Sequence, residues 1–225
     1  MSSTRSVVLL ATILAALALP ACAKDLFAGG EAIPSDAIVL FDGKDLSNWV
    51  QCGSEKPAKW KVENDYMQAG GGSICSKQGF KDSQLHVEFW LPLMKDAHGQ
   101  ERANSGIFLQ DAYEIQILDS YGLKSHAGDC GAIYSVAPPM VNACRPPEQW
   151  QSFDIFFHAA KFDANGKKTA DARMSVMQNG VWIHEDVAVP HNTAGGGDGP
   201  SDAQPIQFQD HGCPVRFRNV WIRPL

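Results

Sequence analysis

From Ala112 to Leu118 the chain alternates strictly, with Tyr113, Ile115 and Ile117 on one side and Glu114 and Gln116 on the other. A period of two predicts a half-buried strand. Asn104 to Leu109 reads as the strand before it, joined through a tight turn. Ser83 to Leu91 repeats the pattern, with Leu85, Val87 and Phe89 opposing His86, Glu88 and Trp90, until Pro92 ends it. Ala172–Gln178 and Val181–His184 flank Asn179-Gly180, the strongest hairpin signal in the chain. Shorter strands are predicted over Ile38–Phe41, Lys59–Glu63, Tyr66–Ala69 and Ser73–Ser76. Later ones fall at Gly131–Val136, Pro205–Gln209 and Val215–Arg223. Trp150 to Ala159 is strongly aromatic and reads as a strand buried on both sides. Ala137 to Pro147 carries too many prolines for a helix and reads as an irregular crossover.

No long window past the N-terminus holds a helical apolar period. Many short strands with frequent turns predict an all-β chain: a β-sandwich or jelly roll of two packed antiparallel sheets. No shift in composition divides residues 25–225, which read as one domain.

The N-terminus is a different kind of segment. Arg5 precedes an apolar run from Val7 to Leu19 that is too short to span a bilayer, so residues 1–23 read as an export signal. Ala21-x-Ala23 suits an ordinary signal peptidase, whereas Leu19-Pro-Ala-Cys22 resembles a lipobox and would place a lipid anchor on Cys22. Both readings put the mature protein outside the cytoplasm, in the periplasm or anchored to a membrane. Export permits disulfides. With Cys22 set aside, the cysteines are Cys52, Cys75, Cys130, Cys144 and Cys213. An odd number leaves one unpaired. Cys52–Cys75 and Cys130–Cys144 are the expected pairs, with Cys213 as the spare. A net charge of −6 and the absence of any Lys/Arg run argue against a nucleic-acid partner.

The polar face of the Ala112–Leu118 strand carries the candidate chemistry. A carboxylate and an amide two residues apart, Glu114 and Gln116, suggest the wall of a cleft, and Asp119 follows at the strand's end. A bulge near Leu118 would return Asp119 to the Glu114 face, roughly 13 Å away along the strand. Leaning side chains would then approach the carboxyl spacing of about 5 to 9.5 Å found in glycosidases. Alternatively Asp119 caps the following turn. Glu88 serves either the site or an ion pair with a neighbouring strand. Of the histidines, His211 is the strongest proton-transfer candidate, in the loop Asp210-His-Gly212. His86 reads as an exposed strand residue, and His158 and His184 as structural. Tyr121 and Trp150 have the ring faces to stack on a sugar. No Cys/His spacing demands zinc. No cofactor is expected, although Glu88, Glu114, Asp119 and His211 are possible ligands for a divalent metal.

Several segments together resemble the 3-keto-disaccharide hydrolase domain family. They are Leu40-Phe-Asp-Gly-Lys-Asp-Leu-Ser-Asn-Trp49, Asn104-Ser-Gly-Ile-Phe-Leu109, Tyr113-Glu-Ile-Gln-Ile-Leu-Asp-Ser120, Cys130-Gly-Ala-Ile-Tyr134, Val141-Asn-Ala-Cys-Arg-Pro146, Trp150-Gln-Ser-Phe-Asp-Ile155 and His211-Gly-Cys-Pro-Val-Arg-Phe-Arg-Asn219. Cys213 departs from the family pattern, which has Asn or a similar polar residue there. The resemblance implies a concanavalin A-like sandwich that acts on glycosides oxidised to a ketone at C3. The ketone acidifies the C2 proton, so His211 or Glu114 as base, with Asp119 or Glu88 as partner, would eliminate the C1 group. Asn104, Gln116 and Arg145 would hold hydroxyls or the enolate, with Tyr121, Asn142, Trp150 and Arg218 as further sugar contacts. Two competing readings are a conventional jelly-roll glycosidase with a carboxylate pair and a non-catalytic sugar-binding module.

Overall fold

A computed structural model describes residues 33–193 and 197–225. The expected export signal and Cys22 lie outside the described residues. Among the described residues fifteen strands run in order. The first six are β1 (Ile38–Phe41), β2 (Trp49–Gln51), β3 (Lys61–Glu63), β4 (Tyr66–Gln68), β5 (Ile74–Phe80) and β6 (Ser83–Trp90). A single 3-10 turn, Gly99–Glu101, precedes β7 (Ser105–Leu109) and β8 (Tyr113–Ile117). Then come β9 (Trp150–His158), β10 (Lys161–Phe162), β11 (Lys168–Ala170), β12 (Ala172–Gln178), β13 (Val181–Val189), β14 (Gln204–Phe208) and β15 (Arg216–Pro224).

The pairing is antiparallel throughout and builds two large sheets. One has eight strands in the order β13-β12-β9-β6-β15-β4-β3, with β1 also on β15; the other has five, β2-β5-β14-β7-β8. The predicted all-β sandwich is the observed architecture. Its core is made by the apolar side of each alternating strand. Leu85, Val87 and Phe89 of β6 and Phe153, Ile155 and Phe157 of β9 meet Tyr113, Ile115 and Ile117 of β8 in one cluster. Phe89 and Phe153 stack at 4.8 Å, and each such ring contributes about 1.5–3 kcal/mol by leaving water.

Because the core fills the space between the sheets, the other side of each strand points outward, in opposite directions for the two sheets. β9 follows this rule instead of being buried on both sides: Phe153, Ile155 and Phe157 are buried, while Trp150, Ser152, Asp154 and Phe156 are only partly covered. Gly131–Val136 is not a regular strand. Residues 131–134 run along the outer edge of β8 instead, through Gly131 N to Gln116 O, Gln116 N to Ala132 O and Tyr134 N to Glu114 O, and Ser135 then turns with φ of 59°.

The Cys52–Cys75 disulfide is present, with Cα atoms 5.0 Å apart, and it rivets the loop after β2 to β5. The expected Cys130–Cys144 disulfide is not: both are buried free thiols, as is Cys213. Burial raises the Cys130 thiol pKa well above its usual range, and its partners are the Cys144 thiol beside it and Gln178 Nε2 at 3.5 Å.

Candidate functional site on the five-stranded sheet

Three short strands build the floor. Register places Gln207, Phe108 and Glu114 in one row across β14, β7 and β8, and Gly106 opposite Gln116 in the next. Phe208, Ile107 and Ile115 belong to the core, so these two rows face outward. Glu114 and Phe108 form a pair whose Glu114 backbone bonds turn away from β7, its N–H donating to Thr193 Oγ1 at 2.9 Å and its carbonyl accepting from Tyr134 N. Such pairs bring side chains closest together. The Glu114 side chain then leans diagonally across β7. A Cβ built on Gly106 would overlap the Glu114 carboxylate and lie 3.0 Å from its Cδ. The glycine is what lets that carboxylate lie flat over the sheet.

Glu114 is 5% exposed. Among the described residues no donor bonds its carboxylate, and burial alone raises its pKa from 4.5 to about 7. An ionised carboxylate without donors in a dry site is costly, so the proton is held until near neutrality. A carboxyl group poised there can both take and return a proton at physiological pH.

An amide cluster stands beside it. Gln100 Oε1 accepts from Asn104 Nδ2 at 3.1 Å and from Gln116 Nε2 at 3.0 Å, while Gln100 Nε2 reaches Gly128 O. The Gln209–Cys213 segment closes the same end of the sheet. Gln209 N donates to Gly106 O, Ser105 Oγ donates to Gln209 O at 2.7 Å, and Asp210 accepts from Gly72 N and Gly212 N. His211 is exposed on this segment. Thus Glu114, Gln116, Asn104 and the His211 loop come together at one end of the sheet.

Other expected residues do not join them. Asp119 is buried, but its Oδ2 bonds Arg102 Nη2 at 2.8 Å and its Oδ1 accepts from Tyr121 N. It is a turn cap with an ion pair, and the regular strand ends before it at Ile117. Glu88 projects from β6 on the outward face of the other sheet. There Arg218 Nε bonds it at 2.6 Å and Asn219 Nδ2 at 3.0 Å. Arg218 lies over the Trp150 ring at 4.1 Å, and Arg216 lies over Trp90 at 4.2 Å and Tyr66 at 4.6 Å. Glu88, Arg218 and Trp150 are therefore separated from Glu114 by the whole core. Asn142 Nδ2 donates to Ser120 O and Leu123 O, and Arg145 Nη1 donates to Trp150 O at the start of β9, so both serve backbone carbonyls. Tyr121 is half exposed on that loop. Among the described residues no three His, Cys, Asp or Glu side chains are gathered to hold a metal ion.

Two residues of the site were not singled out from the sequence, Gly106 and Gln100. The glycine had a signal, since a glycine inside an alternating strand marks a close approach. Gln100 had none, because its role arises from the 3-10 turn that folds it over Gln116.

Residues 36–223 match the family model of the 3-keto-alpha-glucoside-1,2-lyase-like domain. The chain belongs to that family. It is also similar to a protein of Parabacteroides distasonis proposed to be a glycosyl hydrolase, with 39% identity, a TM-score of 0.80, and 85% of this chain and 84% of that one covered. A second such protein from the same organism shares the fold at 21% identity, with a TM-score of 0.64 over 84% of this chain and 94% of that one. No curated protein matches the chain. The family and the first of these relatives support a carbohydrate-active protein, built on the two-sheet β-sandwich described above.

Proposed function

We propose that this protein cleaves the glycosidic bond of 3-keto-glycosides by elimination, with Glu114 as the base. The supporting observation is a carboxyl group whose pKa is near 7, buried on an outward sheet face and without a donor among the described residues. A ketone at C3 acidifies the C2 proton. Glu114, ionised, takes that proton; the C2 electron pair forms the C1–C2 double bond, and the C1–O bond breaks with its electrons going to the aglycone oxygen. That oxygen needs a proton, for which His211 at the rim is the candidate donor. The second amide N–H of Gln116 is the candidate for holding developing enolate charge, whereas Asn104 Nδ2 spends both of its N–H groups on Gln100 O and Oε1 and so positions that amide cluster. Water adding across the double bond then completes hydrolysis.

This route needs one free carboxyl group, and the site offers one. A double displacement needs two, but Asp119 is committed to Arg102 and Glu88 faces away from the site. The family membership favours the same reading. The mature chain is proposed to act after export, free or anchored through Cys22, and the Cys52–Cys75 disulfide suits an oxidising compartment.

A matched panel of aryl glucosides and their 3-keto counterparts tests the proposal. Aglycone release from the oxidised set alone, lost in Glu114→Gln, is the expected result. Release from unoxidised glucosides would replace elimination with ordinary hydrolysis, and binding without release would make the protein a sugar-binding module.

A further inference from the structure

The second row of the site contains a group with no structural task. Gln209 follows β14 directly, and its backbone is tied on both sides, by its N–H to Gly106 O and by Ser105 Oγ to its own carbonyl. Phe208 before it is in the core. Continued alternation therefore turns the Gln209 side chain outward, beside Gly106 and on the face that carries Glu114 and Gln116. Its amide oxygen is buried, yet has no hydrogen-bond partner among the described residues. Gln116, on the far side of Gly106, is different: its Oε1 accepts from Ile117 N and its Nε2 donates to Gln100.

A buried amide oxygen without a donor costs free energy in the empty protein, on the order of a whole hydrogen bond. Nothing in the local fold requires it, because the backbone bonds of Gln209 would be the same with an alanine there. Among the described residues the Glu114 carboxylate, over the same glycine, also lacks a donor. The two are thus unpaired acceptors on the same outward side of Gly106, and a group that paired with both would have to bring hydrogen-bond donors. A sugar carries several hydroxyl groups on neighbouring carbons, so it can offer one donor to an amide while an adjacent carbon meets the carboxylate.

We infer that Gln209 is a substrate-binding residue that accepts a hydrogen bond from a sugar hydroxyl and so selects a hydroxylated ring in the Glu114 hollow. The inference rests on the sugar reading of this site but not on the elimination step. Sites that hydrogen-bond a hydroxyl reject the analogue lacking it, because the protein acceptor is then left unpaired. Gln209 is accordingly a source of discrimination as well as of affinity.

The test uses the 3-keto C-glucoside, in which a carbon–carbon bond at C1 cannot be eliminated, together with its 2-, 4- and 6-deoxy analogues. Binding to the wild-type chain and to Gln209→Ala is measured by calorimetry. The wild type is expected to bind one deoxy analogue about tenfold more weakly than the parent. Gln209→Ala should bind the parent about tenfold more weakly and no longer distinguish it from that analogue. A thermal melt of Gln209→Ala close to that of the wild type separates this from unfolding, and Gln209→Asn provides a second variant that keeps the amide but shortens its reach. If Gln209→Ala, folded, binds the parent as the wild type does, or still discriminates against the same analogue, the inference is overturned. Absence of saturable binding to the wild type overturns it too. Failure of the elimination reading appears elsewhere, as lack of turnover of the 3-keto O-glucosides by a wild type that still binds the C-glucoside.

Discussion

The Glu114 carboxylate lies directly over the Cα of Gly106, in the space any larger residue would fill with its Cβ. Gly106→Ala is therefore expected to push the carboxylate out of its hollow while leaving the core face of β7 intact. A displacement of about 1 Å at a reacting group costs on the order of a hundredfold in rate. A loss of about that size in kcat/KM, with a stability loss of about 1–3 kcal/mol from crowding, is the expected result in paired kinetic and melting measurements. Unchanged kinetics would mean that Glu114 is not the reacting group.

Glu114 also makes a definite prediction about pH. Its folded pKa of about 7 lies above the ordinary 4.5, so folding favours the protonated form. Its stabilising contribution is complete below pH 4.5 and is lost as pH rises through about 7. The two values differ by roughly 3 kcal/mol of stability, present in mild acid and absent in mild alkali. Chemical denaturation of wild type and Glu114→Gln at several pH values isolates this difference. The variant should gain relative stability as pH rises, while its turnover falls by about 10²–10⁴-fold. In the wild type kcat/KM should rise with pH along a limb centred near 7.

Arg102 and Asp119 separate structure from chemistry. Asp119 is nearly covered and depends on Arg102 for its main ionic partner. Removing the guanidinium in Arg102→Ala leaves a buried charge and should cost about 3 kcal/mol. Asp119→Asn should be milder, because the Tyr121 N–H can still bond an amide oxygen. Neither should alter the pH limb of turnover, which a direct comparison with Glu114 variants would reveal.

Glu88 and Arg218 offer a similar contrast on the opposite face. Arg218→Ala removes a stacked guanidinium and the ionic partner of Glu88, leaving it the Asn219 amide alone, at a cost of about 1–3 kcal/mol in urea denaturation. Glu88→Gln keeps the packing and should leave turnover of the 3-keto substrate close to that of the wild type. A severe kinetic defect in Glu88→Gln with an unchanged melt would bring Glu88 back into the chemistry.

The Cys52–Cys75 bridge spans 23 residues. Replacing both with serine should destabilise the chain by about 3 kcal/mol through the freedom returned to the unfolded state. Mild reduction of the wild type should produce a comparable shift in its melting temperature.

Period-two patterning revealed the fold because the side of each strand that enters the core is visible in its spelling. Leu85, Val87 and Phe89 pack against Tyr113, Ile115 and Ile117 as their alternation requires. The same logic identified the outward face with Glu114 and Gln116. What alternation cannot express is which sheet a strand joins. Glu88 and Glu114 have equivalent patterns, and only the pairing of β6 with β9 and β15, and of β8 with β7, sends them to opposite sides. Cys130 and Cys144 failed for a related reason: their closeness was legible, but whether two adjacent sulfurs bond is not a property of spacing. Gly131–Val136 carried a strand's composition, yet the left-handed turn at Ser135 limits it to a short strip against β8.

That strip has a further effect. Without residues 131–134, β8 would be the open margin of the five-stranded sheet, with bare N–H and C=O groups able to recruit a strand from another molecule. Those groups are capped at Glu114 and Gln116 themselves. The chain thus guards against self-association with the same short segment that fixes the backbone of Glu114. A mutation that peeled this segment away would be expected to cause aggregation and loss of turnover together.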